Sequence, residues 1–374
     1  MKNVKNILTF SVFSLIIIAL SLMFVLSPDG KVSKSERRSL KSFEEVLTAE
    51  NPFGEFESYF LDQFPLRDSF RTIKAVVNTD FLKKNDNNKI YKHNGSIIKI
   101  EDKLDEKQTN ITINLINSVI EKYFKEYDVY YSVIPDKHYY ASKENSYPAM
   151  DYEKMLSMLS ENVNAQYIDI IDKLSLSDYY TTDSHWSQEK ITDVAQALVD
   201  GMSPDEITLV PDGDGFKVNK LEPFYGVYYG QSALSAAPDK IYYLTSENTD
   251  SMKMTVINDK GYPQTHSVYT LDKFNNVDPY DVFTAGAQPF ITIENPNAKS
   301  SKHLVLFRDS FGSSIAPIFA EGYGRVTMVD LRYMFPDALS MMLGRVEKDA
   351  DILFLYSTGL INGGGTLRGF MSEK

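Results

Sequence analysis

Twenty consecutive residues without a charge, Ile7 to Leu26, constrain this chain more than any other stretch. At about 1.5 Å per helical residue they make a rod of about 30 Å, the hydrocarbon thickness of a bilayer. Lys2 and Lys5 precede the stretch, and Asp29 and Lys31 follow it. A cleaved signal peptide has a shorter apolar core of about 7 to 15 residues and a small-x-small cleavage site. Phe24-Val25-Leu26-Ser27-Pro28 offers no such site. Residues 1–27 therefore read as a cytoplasmic stub and an uncleaved signal anchor. The two lysines hold the N-terminus inside, and everything after Pro28 lies outside a cell membrane crossed once.

The remaining chain is too polar for further spans, with a mean hydropathy of -0.28 overall. The net charge is -12, and -14 once Lys2 and Lys5 are set aside. That balance argues against a nucleic-acid partner, because phosphate-backbone affinity comes from Lys and Arg displacing counterions. With no Cys there are no disulfides, thiol nucleophiles or thiolate metal sites, and five His are too few for a multi-histidine centre. No metal or cofactor is expected. An acidic ectodomain without Cys suits the exterior of a Gram-positive-type cell. The 24 Tyr and 22 Phe are compatible with a glycan-binding surface, though composition alone favours an aromatic core and a β-rich surface.

Residues 28–84 read as a juxtamembrane spacer followed by an amphipathic helical region. Phe53, Phe56, Phe60, Phe64, Phe70, Ile73, Val76 and Val77 recur at helical spacing with a break at Pro65. Such a helix more often packs against protein than against a membrane surface. From 85 to 374 the pattern becomes α/β. A helix is expected over Thr109–Tyr127, a strand over Asp128–Pro135, a helix from Tyr152 and a short strand from Tyr167. A helix over Trp186–Val199 buries Ile191, Val194, Ala195, Leu198 and Val199. Residues 205–300 hold short runs separated by Gly, Pro, Asn and Asp, the pattern of a β-rich insertion. Then strands from His303, Arg325 and Asp351 alternate with helices from Ser314 and Pro336. Strands apolar throughout imply a parallel sheet covered on both faces.

In such sheets chemistry collects where a strand hands over to a helix. The turn Arg308-Asp309-Ser310-Phe311-Gly312 follows the strand Leu304–Phe307, so Ser310 can present a hydroxyl and its own N–H. Taken alone, the run is better explained by Asp309, Ser313 and Ser314 capping a helix. A serine needs a base, and the base needs an orienting group. Tyr180-Thr181-Thr182-Asp183-Ser184-His185-Trp186 supplies both, with Trp186, the single tryptophan, as a wall. Asp136 and His138, two residues apart after another strand, are the internal rival.

Taken together, the D-x-H-W run and the later Arg308-Asp309-Ser310-Phe311 resemble the DHHW proteins, which are similar to alginate O-acetyltransferases of the SGNH-hydrolase superfamily. Pro135-Asp136-Lys137, the Phe224-Tyr225-Gly226 to Gly230-Gln231-Ser232 stretch and Val329-Asp330-Leu331-Arg332-Tyr333 agree, so the resemblance covers roughly residues 85–360. It departs at Ser184, where the family name has a second His, and at Arg308, where SGNH hydrolases have the Gly of G-D-S. The resemblance implies a three-layer SGNH-like domain with a parallel sheet and a β-rich insertion. It also implies acyl transfer with Ser310 as nucleophile, His185 as base and then acid, and Asp183 as orienter. Gly230 or Asn362 is expected to add an oxyanion donor, and Lys137 and Arg308 to orient a substrate oxygen. The implied partners are a polysaccharide acceptor and a membrane-bound O-acyltransferase as acetyl source. A polysaccharide or peptidoglycan O-acetylesterase with the same triad is the alternative, and a non-catalytic glycan-binding assembly protein is another.

Overall fold

The computed structural model describes residues 2–203, 207–257, 262–334, 336–343 and 346–363. Residues 205–206 and 258–261 of the expected insertion lie outside them. The chain divides into two compact units, one of residues 1–89 with 229–235 and one of 90–228 with 236–374.

The first unit opens with α1 (Lys2–Leu26), whose span Val4–Leu26 is long and apolar enough to cross a membrane. A short ribbon, β1 (Val32–Ser33) and β2 (Arg38–Ser39), leads to α2 (Phe43–Thr48), α3 (Pro52–Gln63) and α4 (Arg67–Val76). The break between α3 and α4 falls at Phe64–Leu66, around Pro65, which cannot supply the N–H that a continuous helix would need. Glu36 receives Arg38, Arg67 and Arg71, which ties the ribbon to α4.

The second unit begins with the hairpin β3 (Ile90–His93) and β4 (Ser96–Lys99). It continues through α5 (Glu106–Tyr123), β5 (Val129–Ile134), α6 (Lys137–Ala141), α7 (Tyr152–Asn162), β6 (Gln166–Tyr167) and α8 (Thr192–Met202). The hairpin strands β7 (Lys217–Phe224) and β8 (Asp239–Thr245) flank α9 (Val227–Ser232), whose last residues belong to the first unit. Then come β9 (Lys253–Ile257), β10 (Pro263–His266), β11 (Phe290–Glu294), β12 (Ser300–Arg308), α10 (Gly312–Gly322), β13 (Tyr323–Val329), α11 (Pro336–Leu343), β14 (Asp351–Ser357) and α12 (Thr358–Asn362).

The main sheet runs in the order β10-β9-β11-β13-β12-β14-β5-β6. From β13 to β6 the strands are parallel, and β10, β9 and β11 are antiparallel. Alternate residues of each central strand feed two cores. Leu304, Leu306, Leu353 and Leu355 join α8 and α10 on one face, whereas Val305, Phe307, Ile352 and Phe354 join α5, α7 and α12 on the other. This is the expected three-layer α/β arrangement. β5, β14 and the end of β12 are buried on both faces, which is why they read as unbroken apolar runs.

The insertion is β-rich, but β9, β10 and β11 extend the main sheet rather than forming a layer of their own. The helix expected from Trp186 begins at Thr192, after a single 3₁₀ turn at Gln188–Lys190. Tyr180 N–H bonds His185 C=O, and Tyr179 pairs with Trp186, so residues 179–186 close into a loop before a helix can form. The helix expected from Ser314 starts earlier, at Gly312, which places Pro317 inside it.

Candidate functional site

β12 ends at Arg308 and α10 starts at Gly312, so Ser310 occupies the turn at the carboxyl edge of the sheet. Asp309 fastens that turn. Its Oδ1 accepts from Phe311 N–H at 3.0 Å, and its Oδ2 accepts from Ser357 N–H, at the end of the neighbouring β14, at 2.9 Å. The loop that carries His185 reaches the same edge. His185 Nε2 lies 2.7 Å from Ser310 Oγ, and its Nδ1 lies 2.6 Å from Asp183 Oδ1. The structure thus brings Asp183, His185 and Ser310 into one hydrogen-bonded line across 125 residues of sequence. Asp183 is fully buried and Ser310 is half-exposed. Proton transfer from a hydroxyl to a ring nitrogen needs this reach.

Four residues hold the His loop through hydrogen bonds. Lys137 is buried, and its Nζ donates to the carbonyls of Ile97, Tyr180, Thr181 and Asp183 at 2.7 to 3.1 Å. Burial pushes its pKa down to about 7, against the pull of the Asp183 and Asp239 carboxylates. Four acceptors and no donor around Nζ fit the ammonium, which has three protons to give. Asp239 accepts from Thr181 N–H at 2.9 Å and from Thr182 N–H at 2.7 Å. Gly226 N–H donates to Thr182 Oγ1, and Val227 N–H donates to the outer carboxylate oxygen of Asp183, both at 2.8 Å. A Cβ on Gly226 would stand 2.3 Å from the Thr182 carbonyl and 2.4 Å from Asp183 Cα, so only glycine permits this approach.

The imidazole is held by ring packing as well. Tyr280 stacks on His185 at 4.0 Å between centroids and 11° between planes, and Phe311 lies at 4.8 Å. Tyr280 Oη and Trp186 Nε1 both donate to Ser314 Oγ at 2.9 Å, and Trp186 Nε1 also reaches Phe311 C=O at 3.2 Å. Burial holds the Tyr280 phenol far above its ordinary range, so it acts as a neutral donor. Trp186 is wholly buried. It ties the His loop to α10 from beneath and does not wall the cleft.

Ser310 opens onto a cleft of about 350 Å³ whose lining includes Asp136, Ser184, Tyr228, Arg332 and Gly359. Larger clefts of about 680 and 840 Å³ lie where β12, β13 and β14 begin, at the end of the sheet away from the β12–α10 turn. Arg332, not Arg308, gives the Ser310 cleft its guanidinium. Burial works against the Arg332 charge, but paired bonds of 2.9 and 2.6 Å to Asp330 hold it protonated.

Several expected assignments change. Arg308 is buried, 3.6 Å from Asp330 and facing the carbonyls of Gly286 and Gln288, so it does not meet a substrate. Lys137 is absent from the lining of the Ser310 cleft, and its ammonium clamps the His loop instead. Asn362 spends both ends of its amide on the 103–105 loop, accepting from Asp105 N–H at 2.7 Å and donating to Lys103 C=O at 2.9 Å, and so is not available to an oxyanion. Gly230 falls in the first unit, where its C=O accepts from Arg71 at 2.6 Å and a Cβ would overlap Ser35 C=O. The rival pair also dissolves. His138 is buried between Tyr91 Oη and Pro148 C=O, and Asp136 caps α6 while accepting from Tyr152 and Thr358. Asp239, Tyr280 and Arg332 were not singled out from the sequence. Arg332 belongs to the Val329–Tyr333 motif, whereas Asp239 and Tyr280 lie in the insertion without a motif of their own.

Among the described residues no group of three or more His, Asp or Glu is arranged to hold a metal ion. Residues 140–329, just over half of the chain, match the family described as DHHW protein. Among solved structures, a DHHW family protein from Eubacterium siraeum superposes with a TM-score of 0.60 at 20% identity, covering 77% of this chain and 97% of that one. Bacillus cereus PatB1, solved with a sulfonyl adduct, superposes with a TM-score of 0.57 at 16% identity, covering 73% and 95%. The comparison with curated proteins finds no match.

Proposed function

The chain belongs to the DHHW family, and we propose that it is an extracytoplasmic O-acetyltransferase working through an acetyl-serine intermediate. The observation that carries the proposal is the line Asp183, His185, Ser310, with contacts of 2.6 and 2.7 Å. Ser310 Oγ attacks the acetyl carbonyl as its proton passes to His185 Nε2. The imidazolium, steadied by Asp183 at Nδ1, then protonates the leaving group. In the second half a sugar hydroxyl attacks acetyl-Ser310, gives its proton to His185, and the proton returns to Ser310 as the ester breaks. Ser310 N–H beside the α10 N-terminus is one oxyanion donor.

The apolar span Val4–Leu26 is taken as a single-pass anchor, with the catalytic unit outside the cell. A membrane-bound O-acyltransferase would supply the acetyl group and a surface polysaccharide would accept it. Ser310 reached by water instead of sugar would make an esterase. The test uses purified full chain, p-nitrophenyl acetate carrying a labelled acetyl group, and soluble oligosaccharides. Label on the sugar that disappears in Ser310→Ala is expected. Labelled acetate released from the ester with no sugar labelling, whatever the acceptor, would sink the transferase reading. A sulfonyl fluoride, chosen after the adduct on PatB1, should modify the wild type and not Ser310→Ala.

A further inference from the structure

If α1 spans the bilayer, it sets a depth scale for the first unit, with Leu26 at the outer hydrocarbon edge and residues 29–30 among the headgroups. α3 is stitched to that exit. Tyr59 Oη donates to Asp29 Oδ1 at 2.9 Å, Gly30 N–H donates to Gln63 Oε1 at 2.8 Å, and Gln63 Nε2 donates to Gly30 C=O at 3.0 Å. One turn along, α3 touches the membrane helix itself, with the Phe60 ring 5.0 Å from that of Phe24. Phe60 and Phe64 share with Leu20, Phe24 and Val25 an apolar cleft of about 290 Å³. Phe24 and Leu20 are two and six residues before Leu26, about 3 and 9 Å below the hydrocarbon edge. Amphipathic helices lying in a membrane interface bury their apolar face by about 5 to 10 Å.

The apolar surface continues onto α4. Phe60, Phe64 and Phe70 form a ladder of rings at 5.3 and 5.7 Å, and Ile73 and Val77 follow Phe70 on the same helical face. These side chains are at most partly covered by the fold, with Phe70 43% and Ile73 56% exposed, and the stretch is flanked by Phe53 at the start of α3, 91% exposed, and Phe81, five residues past α4, 76% exposed. Exposed Lys74, Lys83 and Lys84 lie along the same stretch, balanced by the exposed acids Glu57, Asp68 and Asp80, and α3 itself carries no basic residue. With the charges near balance, what suits these helices to a membrane interface is the area of their exposed apolar face.

We propose that α3 and α4 form a membrane-interface hairpin, sunk into the outer leaflet of a phospholipid bilayer beside α1. The first unit then lies on the membrane instead of projecting from it. The proposal rests on α1 remaining as an anchor, and it reverses the expectation that residues 52–83 are a packing helix. A protein could cover the same face, but the cleft opens along α1 at hydrocarbon depth, where lipid is always present.

The chain has no Cys, so Phe53→Cys, Ile73→Cys, Phe81→Cys, Ser58→Cys and Phe13→Cys each create a unique thiol for an environment-sensitive fluorophore. Phe53, Ile73 and Phe81 are the exposed positions, so their replacement removes little packing. Ser58 is exposed on the opposite side of α3, and Phe13 reports α1. Full-length protein is placed in phosphatidylcholine–phosphatidylglycerol vesicles with and without brominated acyl chains. Brominated lipid should cut the emission at 53, 73 and 81 and leave 58 unchanged, while iodide in the buffer does the reverse. Iodide quenching at 53, 73 and 81 with Phe13→Cys still quenched by brominated lipid would overturn the hairpin and keep the anchor. Labels shielded in native membranes but wet in pure lipid would overturn it in favour of a protein partner. Loss of an N-terminal tag together with lipid quenching at 13 would remove the anchor, and the proposal with it.

Discussion

Replacing Gly226 by alanine should disable the candidate site while leaving the fold intact. The new methyl carbon would start 2.3 Å from the Thr182 carbonyl and 2.4 Å from Asp183 Cα. Carbon atoms settle at about 3.5 to 4.0 Å, so the 182–183 backbone must retreat by about 1 Å. Both neighbours are backbone, which cannot swing aside as a side-chain end would. The retreat stretches the 2.6 Å contact between Asp183 and His185 Nδ1 towards about 3.6 Å, where no hydrogen bond survives. It also disturbs the Val227 bond to the other carboxylate oxygen. A misplacement of about 1 Å at a reacting group lowers turnover about 100-fold, and overpacking costs about 1 to 3 kcal/mol. At roughly 2 to 4 °C per kcal/mol for a domain of 150–250 residues, the melting temperature should drop by several degrees without loss of the folded baseline. The assay pairs acetyl-ester turnover with thermal melting by circular dichroism, with Ser310→Ala as the inactive reference. A folded Gly226→Ala protein with wild-type turnover would refute the claim that this contact positions Asp183.

Tyr280→Phe keeps the ring on His185 and loses one hydrogen bond to Ser314, so turnover should change little; Tyr280→Leu removes the stack and should lower kcat more than KM. Asn362→Ala should leave turnover unchanged, because among the described residues its amide bonds the 103–105 loop, and a loss approaching that of Ser310→Ala would restore Asn362 as an oxyanion donor. Burial holds His303 below the ordinary imidazole value of 6.5, against the pull of Glu347. As pH falls through 6.5 the unfolded chain therefore takes up the proton first, and the stability of the neutral imidazole is lost progressively below that value. His303→Gln should flatten the fall in melting temperature below pH 6.5, and an unchanged slope would exclude this group as the cause.

The parallel core of the second unit was legible because β5, β12 and β14 are buried on both faces, which leaves a sequence signal of unbroken apolar residues. The Asp183, His185 and Ser310 spacing was legible for a different reason, since an Asp two residues before a His and a Ser after a strand are local patterns. What the sequence concealed is long-range. Lys137 looks like any lysine until the fold surrounds it with four carbonyls, and Arg308 looks like a substrate ligand until β12 buries it. Tyr280 and Asp239 sit in the insertion with no motif of their own, and reach the His loop only because the chain returns there. Residues 52–83 carry a helical period in either environment. Only their exposure in the structure distinguishes a packed face from an open one.

The central claim is that Ser310 carries the acetyl group, and mass spectrometry of the intact protein after brief exposure to p-nitrophenyl acetate tests it most directly. One acetyl group per chain, mapped to the peptide containing Ser310 and absent from Ser310→Ala, is the predicted result. An acetyl group mapped elsewhere, with acetyl transfer undiminished in Ser310→Ala, would contradict it.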